Sequence, residues 1–263
     1  MAHECKWDNK GQYSKKQIIL YEQIFGEGYI SAGGHRTTEQ ICSLVQNLKK
    51  NARVLDIGSG IGGPAFFLES QYGCSVTGVD LCEDIYNVAK ERAAIRGSKV
   101  SFLLGDILNM DFAPNSFDVI ISRDTLLHIS VTKKQELFAK CFMWLDENGE
   151  IILADYCRRN KNEEICEPFK EYIDDRGYDL HEPFEYGKML EAAGFKQVEA
   201  KDVSSDFLEM LENELEQFRK DFNPLTINFD KFDYEGIKKS WLSKIEWVRS
   251  RDMRRGILYG RLE

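Results

Sequence analysis

Three aspartates in the first half of the chain stand where charged side chains can bind a ligand. Asp56 belongs to the segment 54–63, VLDIGSGIGG, in which an apolar run reaches an acid and then a glycine-rich loop. Asp80 ends the next apolar run, 24 positions later, and Asp106 follows the third run. Glycines in such a loop permit positive φ and a close approach of ligand to backbone. The pattern predicts a ligand site at the ends of three neighbouring strands.

Two nucleotide cofactors compete for this site. The glycines from Gly58 onward satisfy the G-x-G-x-x-G pattern, so a nicotinamide-dependent oxidoreductase is one candidate. However, Asp56 would face a pyrophosphate unfavourably, whereas it suits the cationic amino group of a methionine moiety, directly or through water. Asp80 is placed to accept the two hydroxyls of a ribose, and Asp106 to accept from an adenine amino group. Together the three acids favour S-adenosylmethionine.

Alternating strands and helices must position these acids. The predicted strands are Arg53–Ile57, Ser75–Val79, Val100–Leu104, Phe117–Ser122, Glu150–Ala154, Gln197–Asp202 and Arg255–Arg261. The predicted helices are Gly63–Tyr72, Asp84–Arg96, Thr132–Leu145, Pro183–Ala193, Phe207–Phe222 and Tyr234–Arg249. The alternation predicts a Rossmann-like α/β fold whose seven-stranded, mostly parallel sheet carries helices on both faces. Together with the three acids, it indicates a class I methyltransferase.

Two segments fall outside that alternation. Residues 1–50 hold an aromatic-rich start and an amphipathic helix, Thr37–Leu48, and residues 158–185 form a charged, aromatic stretch after the fifth strand. Open α/β sheets bind ligands at the carboxyl ends of their strands. We therefore expect an N-terminal lid and a substrate cap over those ends, within a single domain that spans residues 1–263.

Composition narrows the partners. A net charge of −9 disfavours general binding to nucleic acid or to an anionic membrane. Seven scattered cysteines without a C-x-x-C pair are typical of cytosolic proteins, and four histidines without ligand spacing predict no metal. The chain shows neither a signal peptide nor a membrane span, so a cytoplasmic location is expected. Nothing in the sequence demands more than a monomer.

A second group of polar motifs lies where an acceptor would meet the cofactor. The fourth strand runs into Ser122, Arg123, Asp124 and His128 within SRDTLLH. The other motifs are QYS at 12–14, YEQIFG at 21–26, YISAGG at 29–34, ADYC at 154–157 and EYIDDRGY at 171–178. With these motifs the sequence closely resembles the phosphoethanolamine N-methyltransferases of protozoan parasites, nematodes and plants. The resemblance runs from about Gln12 to the C-terminus.

The resemblance implies methyl transfer from S-adenosylmethionine to phosphoethanolamine and its methylated forms, and it assigns residues. Tyr13 and His128 form the catalytic dyad that closes over the ligands, and Asp124 is the acid near the substrate amine. The phosphate-binding positions are Gln12, Tyr21, Tyr156, Tyr172, Arg176, Tyr178 and Lys244. The cofactor positions are Ile30, Ser31, Asp56, Gly58, Gly60, Asp80, Leu81, Asp106, Ile107 and Arg123.

Elementary chemistry agrees with these roles. A phosphomonoester carries nearly two negative charges, so an acidic protein needs local cations such as Arg176 and Lys244 to bind it. Methyl transfer needs a free nitrogen lone pair, yet an alkylamine is mostly protonated at neutral pH. Asp124 can attract the cation, and His128 is suited to removing its proton because imidazole titrates near neutrality. Tyr13 would orient the imidazole and exclude water.

Three alternatives stay open at this point. The same cofactor can serve another acceptor, such as glycine, a sterol or another small molecule. A nicotinamide-dependent oxidoreductase would use the glycine loop differently. A non-enzymatic protein would bind the cofactor without turnover, although the set of site residues argues against it.

Overall fold

The computed structural model of the protein describes residues 13–221 and 231–262, so the predicted phosphate ligand Gln12 lies outside the described residues. The strands are β1 Arg53–Ile57, β2 Ser75–Asp80, β3 Ser101–Leu104, β4 Phe117–Arg123, β5 Leu145–Arg158, β6 Lys196–Asp202 and β7 Met253–Arg261. The α-helices are α1 Lys15–Phe25, α2 Gly34–Cys42, α3 Gly63–Tyr72, α4 Glu83–Arg96, α5 Val131–Trp144, α6 Glu167–Arg176, α7 Pro183–Ala193, α8 Ser204–Asp221 and α9 Lys231–Arg249. Two short 3₁₀ helices, Ile107–Asn109 and Leu126–His128, follow β3 and β4.

Within the described ranges the strands form one seven-stranded sheet in the order β3-β2-β1-β4-β5-β7-β6. The strands β1 to β5 pair in parallel, and β7 inserts antiparallel between β5 and β6. The predicted mostly parallel, seven-stranded α/β sheet is therefore confirmed. Because β7 runs antiparallel to β5, it brings Arg255 opposite Tyr156, close to the strand ends where ligands bind.

Separate apolar cores lie on the two faces of the sheet. In β1, the side chains of Leu55 and Ile57 join a cluster with residues of α5 and α7. Val54 alternates to the other face and packs with residues of α2, α3 and α4. Full burial of side chains of this size stabilises the fold by about 1.5–3 kcal/mol each. Asp56 shares the face of Val54, so its carboxylate lies in a largely apolar setting.

A third cluster covers the carboxyl ends of the strands. It combines the N-terminal segment with α6, α8 and α9 through Phe25, Tyr29, Phe169, Ile173, Leu211, Trp241, Ile245 and Trp247. Both segments that fall outside the strand–helix alternation contribute to it, and so do the two long helices α8 and α9. The strand–helix alternation predicts both helices but does not assign them to this cover. In the structure they form part of the cover and bring Lys244 to it.

The helix predicted over Thr37–Leu48 is wrong at both ends, because α2 runs from Gly34 to Cys42. The buried carboxylate of Glu150 accepts hydrogen bonds from the backbone N–H groups of Gln46 and Asn47, at 3.1 Å and 2.6 Å. These groups would otherwise donate within a continued helix. A distant side chain on β5 therefore ends the helix early.

None of the helices within residues 13–221 and 231–262 has the length and apolar character needed to cross a bilayer.

Candidate active site

A cavity of about 560 Å³ opens between the sheet and its cover. Of the predicted site residues that the structure describes, all but Asp56 line it. They are Tyr13, Tyr21, Ile30, Ser31, Gly58, Gly60, Asp80, Leu81, Asp106, Ile107, Arg123, Asp124, His128, Tyr156, Tyr172, Arg176, Tyr178 and Lys244. The volume is in the range of small-molecule and cofactor sites.

The glycine loop forms the floor of this cavity under strict steric limits. The N–H groups of Gly58 and Ser59 both donate to the carbonyl oxygen of Val79, at 2.8 Å and 3.0 Å. Gly58 has a φ of +73°, and a Cβ atom there would lie 1.9 Å from the hydroxyl oxygen of Thr125. A side chain at position 58 is thus excluded both by backbone conformation and by space. The loop is held tightly against the end of β4.

Asp80 and Asp106 are oriented by neighbouring N–H groups. The two carboxylate oxygens of Asp80 accept from the backbone N–H groups of Gly60 at 2.9 Å and Cys82 at 3.0 Å. Asp106 begins a 3₁₀ helix and accepts from the backbone N–H of Leu108 at 2.9 Å. A carboxylate oxygen has capacity for a second hydrogen bond. Both acids therefore remain able to accept from a ribose hydroxyl or an adenine amino group.

Asp56 lies behind the cavity wall, as far as the described residues define it. Its side chain is buried, and its Oδ2 atom has no hydrogen-bond partner within the described part of the chain. Burial raises the pKa of this carboxyl to about 7, although the nearby charge of Arg123 opposes the shift. A buried acceptor without a partner fits a cationic group, such as the amino group of S-adenosylmethionine. The position behind the wall favours the contact through water over the direct one.

Arg123 links β4 to the N-terminal segment. Its guanidinium donates to the carbonyl oxygen of Gly34 at 2.8 Å, to the hydroxyl of Thr38 at 2.6 Å and to the carbonyl oxygen of Ala32 at 3.3 Å. A longer contact of 3.4 Å reaches the hydroxyl of Ser31, another predicted cofactor residue. Arg123 therefore fixes the backbone beside the cofactor end of the cavity, in addition to lining it.

Two cations and several tyrosines form the opposite part of the cavity. The guanidinium of Arg176 lies 4.8 Å from the ring centroid of Tyr172, and the Nζ atom of Lys244 lies 4.7 Å and 5.8 Å from the rings of Trp241 and Tyr156. Burial raises the pKa of both tyrosines well above its usual value. Their hydroxyls therefore stay protonated and can donate hydrogen bonds. This set is suited to a phosphate.

Lys244 is the more titratable of the two cations. Burial lowers the pKa of its ammonium to about 8, and the like charge of Arg176 adds to the effect. Glu214 and Asp124 act in the opposite direction. Lys244 is therefore mostly charged at pH 7 and loses its proton under mildly alkaline conditions.

His128 belongs to the short 3₁₀ helix after β4, and its ring meets the ring of Tyr178 edge-on, with centroids 5.0 Å apart. Burial lowers the pKa of His128 to about 4, and the charge of Arg176 contributes. The imidazole is therefore neutral at pH 7 and able to accept a proton. Burial also raises the pKa of Tyr13, which keeps its hydroxyl protonated.

The structure adds a site residue that the sequence leaves without a role. Arg255 from β7 is buried and forms an ion pair with Asp124. Its guanidinium lies against the rings of Tyr156 and Phe207, at 5.2 Å and 5.4 Å from their centroids. The two charged residues are 131 positions apart. In the sequence, Arg255 is one basic residue among several near the C-terminus, so no local signal identifies it.

Comparisons with known proteins agree with this geometry. A family described as "Methyltransferase domain" matches residues 54–149. Phosphoethanolamine N-methyltransferase 1 of Triticum aestivum is 42% identical over 235 residues, which cover 89% of this chain and 46% of that protein. The chain thus spans about half the length of this plant relative. Phosphoethanolamine N-methyltransferase of Plasmodium falciparum is 38% identical over 235 residues, 89% of this chain and 87% of that protein.

A solved structure of a further phosphoethanolamine N-methyltransferase also resembles this chain. Phosphoethanolamine N-methyltransferase 2 of Haemonchus contortus, in complex with phosphomonomethylethanolamine and S-adenosylhomocysteine, matches with a TM-score of 0.93 and 29% identity. The match covers 100% of this chain and 60% of that one. These matches favour a methyltransferase over the nicotinamide-dependent alternative. With the sequence similarity to the Plasmodium protein extending over most of both chains, the chain belongs to the phosphoethanolamine N-methyltransferase family.

Proposed function

We propose that the protein transfers methyl groups from S-adenosylmethionine to the amine of phosphoethanolamine and of its monomethyl and dimethyl derivatives, which leads to phosphocholine. The observation that carries the proposal is the make-up of the cavity. It joins the carboxylates of Asp80 and Asp106 at the strand ends to the cations of Arg176 and Lys244, with His128 in the same wall. Such a cavity suits a nucleoside cofactor and a small phosphorylated amine together.

The acids of the strand ends hold the cofactor. Asp80 accepts from the ribose hydroxyls, Asp106 from the adenine amino group, and Asp56 neutralises the amino group of the methionine moiety. When bound, S-adenosylmethionine supplies an electrophilic methyl group on its sulfonium. The apolar residues Ile30 and Leu81 at the cavity wall exclude water from the nucleoside.

The phosphate binds to Arg176, Lys244 and the surrounding tyrosine hydroxyls. The protein carries a net charge of −9, so these local cations must overcome a repulsive background. A hydrogen bond to a charged group contributes about 1.5–3 kcal/mol. Two such contacts, with neutral donors from the tyrosines, suffice to hold a small ligand in one orientation. The amine then lies at the other end of a fixed phosphate.

Asp124 and His128 prepare the amine. The carboxylate of Asp124 attracts the ammonium form, and the neutral imidazole of His128 takes one of its protons. The proton moves from nitrogen to imidazole, which leaves the nitrogen with the free lone pair that methylation requires. Tyr13 lines the same cavity as His128, where it limits the access of water. After deprotonation, the remaining contribution of the protein is alignment.

The proposal is tested by transfer of a labelled methyl group to phosphoethanolamine, to its monomethyl and dimethyl derivatives, and to unphosphorylated ethanolamine. We expect transfer to the phosphorylated amines and at least about a hundredfold lower kcat/KM with ethanolamine, which lacks the phosphate contacts. Arg176→Met is expected to raise the KM for phosphoethanolamine. Equal turnover of ethanolamine, or transfer only to glycine or a sterol, would refute the proposal.

Two further properties remain predictions. A cytoplasmic location follows from the sequence features and is checked by cell fractionation. A monomeric state is checked by sedimentation of the purified protein.

A further inference from the structure

The ion pair between Asp124 and Arg255 is the most buried charged contact at the cavity. The two side chains are 9% and 3% exposed. Asp124 directly follows β4 with a φ of +51°, a conformation that non-glycine residues rarely adopt, and its N–H donates to the carbonyl oxygen of Ala154 at 2.9 Å. Such backbone strain concentrates at functional sites. The conformation of Asp124 is therefore imposed by its surroundings.

Arg255 is held from several sides. Its guanidinium lies against the rings of Tyr156 and Phe207. Its backbone N–H donates to the hydroxyl of Ser204 at 3.0 Å, and its carbonyl oxygen accepts from the N–H of Val203 at 2.9 Å. Both the backbone and the charged group are thus fixed by β7, β5 and the start of α8. The backbone bonds and ring contacts limit the positions that the cation can take, and its hydrogen bond to Asp124 limits those of the carboxylate in turn.

The two oxygens of Asp124 have different surroundings. Arg255 donates to Oδ1, whereas Oδ2 is buried without a hydrogen-bond partner among the residues that the structure describes, as is the Nη2 atom of Arg255. Asp124 lines the cavity, while Arg255 is not among the described residues of its wall. Asp124 therefore faces the cavity, and Arg255 lies behind it. A buried acceptor of this kind is satisfied when a ligand donates to it.

Asp124 interacts electrostatically with charged and titratable groups from every side of the site. They are Arg123 on β4, His128 on the 3₁₀ helix, Asp155 and Tyr156 on β5, Tyr178 after α6, Lys244 on α9 and Arg255 on β7. Within this described set, Arg255 is the group that donates a hydrogen bond to the Asp124 carboxylate. Its charge therefore acts on Asp124 most directly.

We propose that Arg255 is a positioning residue, which fixes Asp124 through Oδ1 and leaves Oδ2 for the substrate amine. By partly neutralising the carboxylate, it also lets Asp124 attract the ammonium without holding its proton. The inference rests on the proposed function, in which the amine must lose a proton before it is methylated. A carboxylate without a counter-charge would favour the protonated amine and so slow that loss. A cation behind the carboxylate weakens this effect and preserves the geometry.

The dependence of kcat on pH tests the inference, with phosphoethanolamine at saturation between pH 6 and pH 10. Arg255→Gln is expected to displace the profile to higher pH by about one unit, which is about a tenfold loss of kcat at neutral pH that recovers under alkaline conditions. Arg255→Lys keeps the charge and is expected to stay near the wild type. If Arg255→Gln lowers kcat by the same factor at every pH, the inference is wrong.

A second background shows whether Arg255 acts through Asp124. Combined with Asp124→Asn, the Arg255→Gln change is expected to lack most of its displacement, because the carboxylate on which Arg255 acts is absent. A full displacement in this background would overturn the inference. The double variant also removes both buried charges at once. It therefore leaves no unpaired charge in the interior and can be measured even if Arg255→Gln alone does not fold.

Controls separate this inference from the proposed function. Arg254→Gln changes the neighbouring arginine, which pairs with Asp202 outside the cavity, and is expected to leave the profile unchanged. Calorimetric binding of S-adenosylhomocysteine verifies that each variant is folded. An active wild type with an unshifted Arg255→Gln profile refutes only the role of Arg255. A wild type that does not methylate phosphoethanolamine refutes the proposed function and the inference with it.

Discussion

At the scale of single residues, burial determines the chemistry of the site. It lowers the pKa of His128 to about 4 and that of Lys244 to about 8, and it raises the pKa of Asp56 to about 7. Each shift favours the neutral form of the side chain, as removal from water requires. At pH 7 the shift keeps His128 unprotonated, as a base must be before it acts, but it also makes the imidazole a weaker base than one that titrates near neutrality. Lys244 and Asp56 instead become sensitive to the charge of a bound ligand.

The role of His128 is tested by His128→Asn, which removes the proton acceptor. We expect kcat to fall by about two to four orders of magnitude, while the affinity for S-adenosylhomocysteine stays nearly unchanged. Steady-state kinetics and calorimetry measure the two quantities. His35→Asn is the matched control, since His35 is exposed, pairs with Glu39 and does not line the cavity, which it reaches only through a 3.4 Å hydrogen bond to the hydroxyl of Tyr29. Near-normal turnover of His128→Asn across the pH range would contradict the assignment.

The pKa of Lys244 predicts an alkaline limit on substrate capture. Its folded pKa of about 8 means that the ammonium is charged below this pH and neutral above it. The phosphate contact is therefore lost as pH rises through 8, and kcat/KM, which reports on the free enzyme, falls there.

Lys244→Met is expected to lower kcat/KM at pH 7 by about ten- to a hundredfold and to abolish this alkaline decline. The kcat/KM of both proteins is measured from pH 6 to pH 9.5. Lys239→Met alters an exposed lysine of the same helix and should preserve the wild-type profile. If the alkaline decline persists in Lys244→Met, a group other than Lys244 causes it.

At the scale of elements, the 3₁₀ helix that carries His128 is held between β5 and the segment after α6. The N–H of Leu127 donates to the Asp155 carboxylate at 2.8 Å, and the carbonyl oxygen of Leu127 accepts from the N–H of Asp179 at 2.8 Å. The carboxylate of Asp179 also accepts from the N–H of Val131 at 2.7 Å. Asp179 thus caps α5 from outside, since Ser130 at the N-cap makes no side-chain hydrogen bond to the helix.

Asp179→Ala tests this connection between α5 and the segment after α6. Loss of the cap is expected to destabilise the protein by about 0.5–2 kcal/mol in denaturant unfolding. The loosened start of α5, three positions after His128, is expected to lower kcat by about tenfold even though the backbone bond between Asp179 and Leu127 remains, because small displacements of a catalytic group are costly. Asp174→Ala, at an exposed position of α6, should change neither quantity. A loss of stability with unchanged kcat would show that the cap does not position His128.

The elements differ in how far the sequence predicts them. The bounds of α3 and α7 match those expected, because a glycine in the left-handed conformation ends each helix, at Gly73 and Gly194, and such signals are local. The end of α2 is not predictable in this way, since Glu150 on a distant strand determines it. The same holds for Arg255, whose function depends on a partner 131 positions away. Motifs identify the cavity residues, whereas the ion pairs behind them require the fold.

At the scale of the whole molecule, the cavity depends on a cover assembled from distant parts of the chain. The N-terminal part of this cover is tied to α4 by Glu22. The Glu22 carboxylate accepts from Arg92 at 2.5 Å and 2.7 Å and from the backbone N–H of Gly28 at 2.6 Å. The carbonyl oxygen of Gly28 accepts from the N–H of Gly63 at 3.1 Å. Gly28, which takes part in both contacts, precedes Ile30 of the cavity wall by two positions and Ser31 by three.

Closure of the cover over the cofactor is therefore expected to depend on Arg92. Arg92→Met leaves the Glu22 carboxylate, which is 14% exposed, without its cation. We expect the Kd for S-adenosylhomocysteine to rise by about tenfold, mainly through faster dissociation. The KM for phosphoethanolamine at saturating cofactor should change less, because the proposed phosphate contacts of Arg176 and Lys244 come from α6 and α9, and of the described phosphate-binding positions only Tyr21 comes from the segment that Glu22 anchors. Calorimetry and stopped-flow dissociation measure the effect.

Arg96→Met provides a closely matched comparison. Arg96 is one turn further along α4 and pairs with Glu27 of the same N-terminal segment, but these side chains are 43% and 78% exposed. Exposed ion pairs contribute only about 0–1 kcal/mol, so this variant is expected to bind the cofactor almost as the wild type does. If the two variants weaken binding equally, the overall positive charge of α4 determines the affinity for the cofactor, and the contact with Glu22 has no special role. A selective effect of Arg92→Met would make one partly buried ion pair the contact that couples the N-terminal cover to α4.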